Sequence, residues 1–364
     1  MIKSIIKRFL CLFPSGKKYF REKELLVIKD SIRSELKNLL IEAEDKFSQK
    51  SYPHGSLTDY RDAFNKHWCS FSEYMYQYEY WKLNEQERSE YVCRMQMIAF
   101  YRMVLPSSIK NIFWQKKKFL STFSDFIHRE WIDVNTCKYE EYQRLVSSKD
   151  CIVKLGEGCC GVGIYKITPN NKEAQTSAYF EDLKQKNALV EECIEGCTEL
   201  QSFHPKSLNT LRVVTILHNG EHEVLHSFFR VGVGDSVVDN AHAGGLFAQV
   251  DIETGRLVTD GISTDGAKLL KHPDSQIEFK GFVIPKWDMI KQTVLKAANS
   301  LPGLFICGWD VTVTKDGIVD IIEGNHGPDF DVMQSPLKTG YYNRINEYIK
   351  QVYHDDLVEL IKIE

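Results

Sequence analysis

Apolar residues change their period along this chain, and the change divides it. In the first third they recur at helical spacing. Leu25, Ile28, Ile32, Leu36 and Leu39 or Leu40 line one side of a charged stretch over residues 22–44, which predicts a long amphipathic helix. Residues 51–56, with Pro53 and Gly55, read as a turn, and Thr58-Asp59 can cap the helix that follows. The aromatic stretch 64–81 reads as helical core, and residues 85–104 as a further helix ended by Pro106. From residue 150 onward a period of two becomes frequent. Residues 151–155 and 164–167 read as strands; so do 212–217 and 223–231, around Asn219-Gly220, and 309–314 and 318–322, around Asp316-Gly317. Asn-Gly and Asp-Gly between alternating runs are the strongest short hairpin signals.

The hairpin at Asn219-Gly220 disposes of one apparent metal site. His218, His222 and His226 are spaced by four, which on a helix would align three imidazoles. A turn between two strands leaves no helix to carry them.

The hairpin at Asp316-Gly317 has the opposite effect. With those two residues as the turn, opposed positions have numbers summing to 633, so Asp310 faces Glu323. The period of two puts Asn325 on the same face. Facing carboxylates repel unless a cation lies between them, and a hard divalent ion bound with nucleotide phosphates takes such oxygen ligands. Upstream, Lys154 precedes a loop containing Gly156, Gly158, Gly161 and Gly163. The first three spell G-x-G-x-x-G, but a dinucleotide fold needs a helix after that loop and a strand follows here. Strand, glycine loop, strand describes instead a flap whose N–H groups close over phosphates, with Lys154 as a point charge beside them. No Walker A pattern occurs. Arg212 heads an otherwise apolar strand face with Val214 and Ile216, and so requires a partner: a structural carboxylate, or a phosphoryl group or substrate carboxylate, which its planar fork suits. Arg230 ends a strand before Gly232 and Gly234, and His242 precedes Gly244-Gly245, where bare backbone can approach a ligand.

In order along residues 111–342, these motifs resemble the ATP-grasp superfamily, most closely its sugar-transfer-associated branch. They are Lys154 with its glycine loop, the LVEECI segment at 189–194, NTLRVVT at 209–215, DNAHAGG at 239–245, and GWD at 308–310 with EGN at 323–325. The resemblance implies two α+β lobes gripping ATP behind a helical N-terminal region. It implies a helical region at 1–106, a small lobe at 107–195, a large lobe at 196–350 and a helical tail at 351–364. Lys118, within three consecutive lysines, matches the first nucleotide lysine. Glu191 or Glu192, with the backbone near Cys193 and Ile194, would read adenine, and Glu199 would meet the ribose. Lys154, Gly158, Gly161 and Gly163 would hold phosphates. Asp310, Glu323 and Asn325 match ligands of Mg2+, or of Mn2+ in its place. Arg212, Lys154 and Arg230 are the catalytic candidates; Asn240, His242, Gly244 and Gly245 are assigned to substrate. The implied reaction activates a carboxylate as an acyl phosphate for attack by an amine, in surface-polysaccharide or sugar-conjugate synthesis. A kinase acting on a sugar hydroxyl, and a non-catalytic nucleotide-sensing assembly factor docked on a membrane, use the same motifs.

Composition narrows the setting. The chain has 364 residues, 43% hydrophobic, with a net charge of −4, enough for a sizeable core and unlike the strongly basic domain of a nucleic-acid binder. Ten cysteines without a CxxC pair, and no cleavable signal, fit reduced thiols in the cytoplasm. Ile2, Ile5, Ile6, Phe9, Leu12 and Phe13 alternate with Lys3, Lys7 and Arg8, with Lys17, Lys18 and Arg21 just beyond. That basic amphipathic start, residues 1–21, fits a helix packed on the protein or one lying on the inner membrane surface.

Overall fold

The structure, a computed structural model, describes residues 14–156, 163–239, 244–263, 266–334 and 338–360, with side chains from residue 25 onward. The basic residues 1–13 lie outside it. The chain forms two compact units, one from residues 1–106 with 327–364 and the other from 107–326. The sequence placed divisions at 106, 195 and 350; the first coincides with a unit boundary, while the second boundary falls at 326/327.

The helical unit contains the predicted long helix, Pro14–Gln49. The next helix, Leu57–His67, is capped by Ser56, whose hydroxyl accepts from the Asp59 N–H at 3.1 Å, rather than by Thr58 or Asp59. The aromatic stretch is not one helix. Left-handed backbone at Trp68 (φ 57°) and Glu79 (φ 52°) breaks it into short turns, at 73–77 and 80–82, that bury Trp68, Tyr74 and Tyr80. The helix predicted over 85–104 is likewise two, Glu85–Glu90 and Arg94–Val104, because Tyr91 is extended and Cys93 starts a new cap with Gln96. In both places burial of large side chains overrides helical spacing. Helices Phe330–Gln334, Tyr342–Tyr353 and Leu357–Leu360 belong to this unit.

The second unit carries two antiparallel sheets. Strands β1 (Trp131–Asp133), β2 (Cys151–Lys154), β3 (Ile164–Ile167) and β4 (Leu189–Glu192) form a four-stranded sheet in the order β1-β4-β2-β3. Cys151, Val153, Ile167 and Val190 pack under helices Tyr139–Ser148 and Ser177–Gln185, joining Leu145, Phe180 and Leu183 in one core. By alternation, Ile152, Lys154 and Glu191 face the other way. Strands β5 (Thr210–His218), β6 (Glu221–Val231), β7 (Leu246–Gln249), β8 (Gly261–Ile262), β9 (Lys268–Leu269), β10 (Ile306–Val313) and β11 (Val319–Asn325) form the large sheet, in the order β11-β10-β5-β6-β7-β8-β9.

The β5–β6 turn is the predicted two-residue loop, with positive φ at Asn219 (51°) and Gly220 (89°). His218 pairs with Glu221 across it, so the three histidines lie on two strands and not on a helix. The β10–β11 turn differs from expectation. The Thr314 N–H donates to the Ile318 carbonyl at 2.8 Å, which leaves a three-residue loop with Gly317 at φ 77°. Near the turn, Val313 therefore opposes Val319.

Candidate active site

Asp310 nevertheless opposes Glu323, because the strand pair shifts register by one residue between Asp310 and Val311. Val311 opposes Ile321, Ile322 is the extra residue, and the bulge restores the pairing that the shorter turn would have produced. Asn325 opposes Gly308 one step further along the same face. Next in the same cross-strand row, Arg212 on β5 opposes Asp310.

Asp310 is 2% exposed and carries two forks. Arg212 holds it through both Nε and Nη2, the latter at 3.0 Å, and Arg230 Nη2 lies 2.8 Å from Oδ2. Burial alone would raise this carboxyl, but the two guanidiniums outweigh it and hold the pKa down to about 2. Within the chain, the partner of Arg212 is thus the Asp310 carboxylate. Arg230 also donates to Thr210 Oγ1 at 2.8 Å, and Asp239 accepts from the Thr210 N–H at 2.9 Å. Asp239 was not assigned a role from sequence; here it pins the start of the DNAHAGG segment to β5. Asn240 and His242 lie outside the described residues. Gly244 has φ 88° and Gly245 is buried at the head of β7.

Glu323 forms no ion pair among the described residues. Its side chain is solvent-accessible. Desolvation by the surrounding protein, then the Asp310 charge, raises its pKa against the opposing pull of Arg212, Lys154 and Arg230. Asn325 is exposed as well. No group of three His, Cys, Asp or Glu side chains is placed to hold a metal among the described residues. What is present is two opposed carboxylates, one of them in no ion pair among the described residues, and an amide in line with them. That oxygen donor set fits Mg2+ completed by phosphate oxygens.

On the small sheet, Lys154 Nζ lies 2.5 Å from Glu191 Oε1. Glu191 is 2% exposed and its other oxygen receives Arg129 Nε at 2.6 Å. Its carboxylate is thus enclosed by two cations of the protein. Glu192 binds Lys149 Nζ at 2.8 Å, and the Cys193 N–H donates to the Asp150 carbonyl at 2.8 Å. Of the backbone N–H groups assigned to adenine, that of Ile194 donates to no protein acceptor among the described residues. Glu199 is exposed on the short helix Thr198–Gln201. Gly163 (φ 74°) accepts the Leu155 N–H at 3.0 Å and closes the mouth of the flap; Gly158 and Gly161 lie outside the described residues. Lys118 is exposed and forms no ion pair among the described residues, whereas Lys117 ties Asp133 (2.5 Å) to Asn187 (2.8 Å).

A small sheet with a lysine at the mouth of a glycine loop, and a large sheet with opposed carboxylates among arginines, define the class as ATP-grasp. A family model described as sugar-transfer associated ATP-grasp matches residues 137–350, more than half of the chain. The chain belongs to that family. Among solved structures it is similar to the ATP-grasp ligase PsnB complexed with a minimal precursor, at 16% identity and a TM-score of 0.42, over 73% of this chain and 71% of that one. It is similar also to N5-carboxyaminoimidazole ribonucleotide synthetase in its ADP complex, at 12% identity and a TM-score of 0.40, over 66% of this chain and 51% of that one. An L-amino acid ligase from Bacillus licheniformis matches at 14% identity and a TM-score of 0.38, over 66% of this chain and 48% of that one. No curated protein matches.

Proposed function

We propose that the protein is an ATP-dependent ligase that joins a carboxylate to an amine, the carboxylate or the amine being sugar-linked. The observation that carries this reading is the row Glu323, Asp310, Arg212, with Arg230 on the same acid. Two carboxylates and two permanent cations on one sheet face can accommodate a polyphosphate and an anionic substrate together. Asp310, Glu323 and Asn325 would hold Mg2+, which when bound neutralises phosphate charge. Lys154 and the flap backbone hold the phosphates, and Lys154 is kept in place by Glu191. Arg212 and Arg230 orient the substrate carboxylate and the terminal phosphoryl group. A carboxylate oxygen attacks the γ-phosphorus, the bond to the bridging oxygen breaks and ADP leaves. The amine then attacks the acyl carbon, phosphate departs and the ammonium loses a proton, giving the amide. Closure of the flap keeps water from the acyl phosphate between the two steps.

ATP consumption against a panel of sugar acids paired with amino acids tests the proposal, with products identified by mass. ADP, phosphate and an amide are expected. ADP with a phosphate ester would make the protein a kinase, and binding without turnover would make it a nucleotide sensor. Glu323→Gln keeps the shape and removes the charge, so Mg2+-dependent turnover should fall by two decades or more, about 3 kcal/mol of transition-state stabilisation. Unchanged turnover in a folded variant removes the metal assignment.

A further inference from the structure

We propose that Arg129 is the positioning residue of this site. It would fix the register that brings Glu323 opposite Asp310, and hold Lys154 in line with that pair. The inference rests on the reading of Asp310, Glu323 and Asn325 as metal ligands and says how their placement is enforced.

The hairpin by itself does not produce the site. Counted from its three-residue turn, regular pairing would set Ile322 opposite Asp310 and Glu323 opposite Trp309. A one-residue slip sends a side chain to the other face of the sheet. Glu323 would then point toward the side where Trp309 packs among Phe113, Phe119 and Phe123. The bulge at Ile322 prevents this, and a bulge on an edge strand needs something to satisfy its freed backbone. β11 is such an edge.

Arg129 meets that need. Its Nη1 donates to the Ile321 carbonyl and its Nη2 to the Ile322 carbonyl, each at 2.8 Å. In a regular strand, successive carbonyls point to opposite edges, so one guanidinium cannot take both; at a bulge it can. The clamp has a second hold on the same strand. Asp320, fully buried, takes Arg129 Nη1 at 2.5 Å on Oδ1, and the N–H groups of His128 (2.7 Å) and Arg129 (2.9 Å) on Oδ2. The third nitrogen, Nε, reaches Glu191 at 2.6 Å, and Glu191 holds Lys154 at 2.5 Å. A single planar group therefore connects the bulge of the large sheet with the lysine at the mouth of the flap on the small one.

Arg129→Lys tests this. Lysine keeps a charge beside Glu191 and Asp320 but has no fork to span two adjacent carbonyls. Calorimetry of ADP binding to the full-length chain, in EDTA and in saturating Mg2+, gives the factor by which the metal strengthens nucleotide binding. In Arg129→Lys that factor should fall about tenfold or more, as for other residues that orient metal ligands, while ADP affinity in EDTA should fall by less, through the loosened Lys154 alone. A merely structural role would lower both affinities in proportion and leave the factor at its parent value. Asp320→Asn loosens the same guanidinium without touching Glu191 or Lys154, and should shift the factor in the same direction should Arg129→Lys fail to fold. Glu323→Gln in the same experiment separates the two readings. If it leaves the metal factor intact, the ligand assignment itself is wrong. If it abolishes the factor while Arg129→Lys or Asp320→Asn, folded, keeps the parent value, the role given to Arg129 is overturned.

Discussion

At the scale of single residues, charge in the large sheet is arranged in a row and the neutral groups beside it matter as much. His226 opposes Val214, one step along from Arg212 and on the same face, and is 2% exposed. Burial pushes its pKa down to about 4. Because the folded protein binds this proton more weakly than the unfolded chain does, stability is full above the ordinary imidazole value and falls as pH drops from there toward 4. Between pH 7 and pH 5 the loss should be about 2 kcal/mol. His226→Gln should flatten that part of the curve, as read from urea midpoints across pH. A parent-like slope in the variant would place the titrating group elsewhere. Asp310 shows the opposite balance, two forks overcoming burial, which makes it the most strongly ionised acid of the site.

At the scale of elements, the β10–β11 hairpin is held from three sides: by β5, by Arg129 along its edge, and by aromatic rings over the face that bears Trp309. Gly324, between Glu323 and Asn325, is where those rings come closest. A Cβ there would lie 2.7 Å from both Phe113 Cε1 and Phe119 Cε2, too near for either ring to keep its place. Gly324→Ala should therefore destabilise the protein by about 1–3 kcal/mol through overpacking. A urea melt measures it, and an unchanged midpoint would mean that the rings move aside without cost. The same closeness explains why the EGN segment carries a glycine between two oxygen donors: the donors face one way and the backbone must meet aromatic carbon the other way.

At the scale of the whole molecule, the chain leaves the helical unit at Pro106 and re-enters it at Gly327, so residues from both ends build one core. Gln334 shows how. It is fully buried; its Oε1 accepts the Val92 N–H at 2.8 Å and its Nε2 donates to the Val92 carbonyl at 3.1 Å and to Tyr78 Oη at 2.9 Å. Gln334→Leu should cost roughly 1–3 kcal/mol for each buried backbone group it leaves unpaired. Hydrogen exchange should then accelerate at residues 92–95 while the strands of the other unit keep their protection; uniform acceleration would show that the two units unfold as one. The family match at 137–350 runs past the 326/327 boundary, so its last residues belong to the helical unit. No helix among the described residues is long and apolar enough to cross a membrane.

Local signals determined much of this protein. The period of two placed most of the site strands, Asn219-Gly220 set a true two-residue turn, and acidic and amide side chains at alternating positions marked the candidate ligands, because neighbours in a strand share a face whatever packs around them. The pairing of Asp310 with Glu323 was legible too, but by arithmetic that held through two compensating departures. The turn is one residue longer than its Asp-Gly pair suggests, and a bulge at Ile322 takes up the difference. Nothing local reports such a bulge, since it is stabilised by Arg129, some 190 positions away in the chain. The same distance hid the protein partners of Glu191 and Arg212. Each sits in a motif that reads as ligand-binding, and each also pairs with charges from other segments: Arg129 and Lys154 for the first, Asp310 for the second. A buried charge takes the partner that the folded chain brings to it, and only the tertiary structure decides which one arrives.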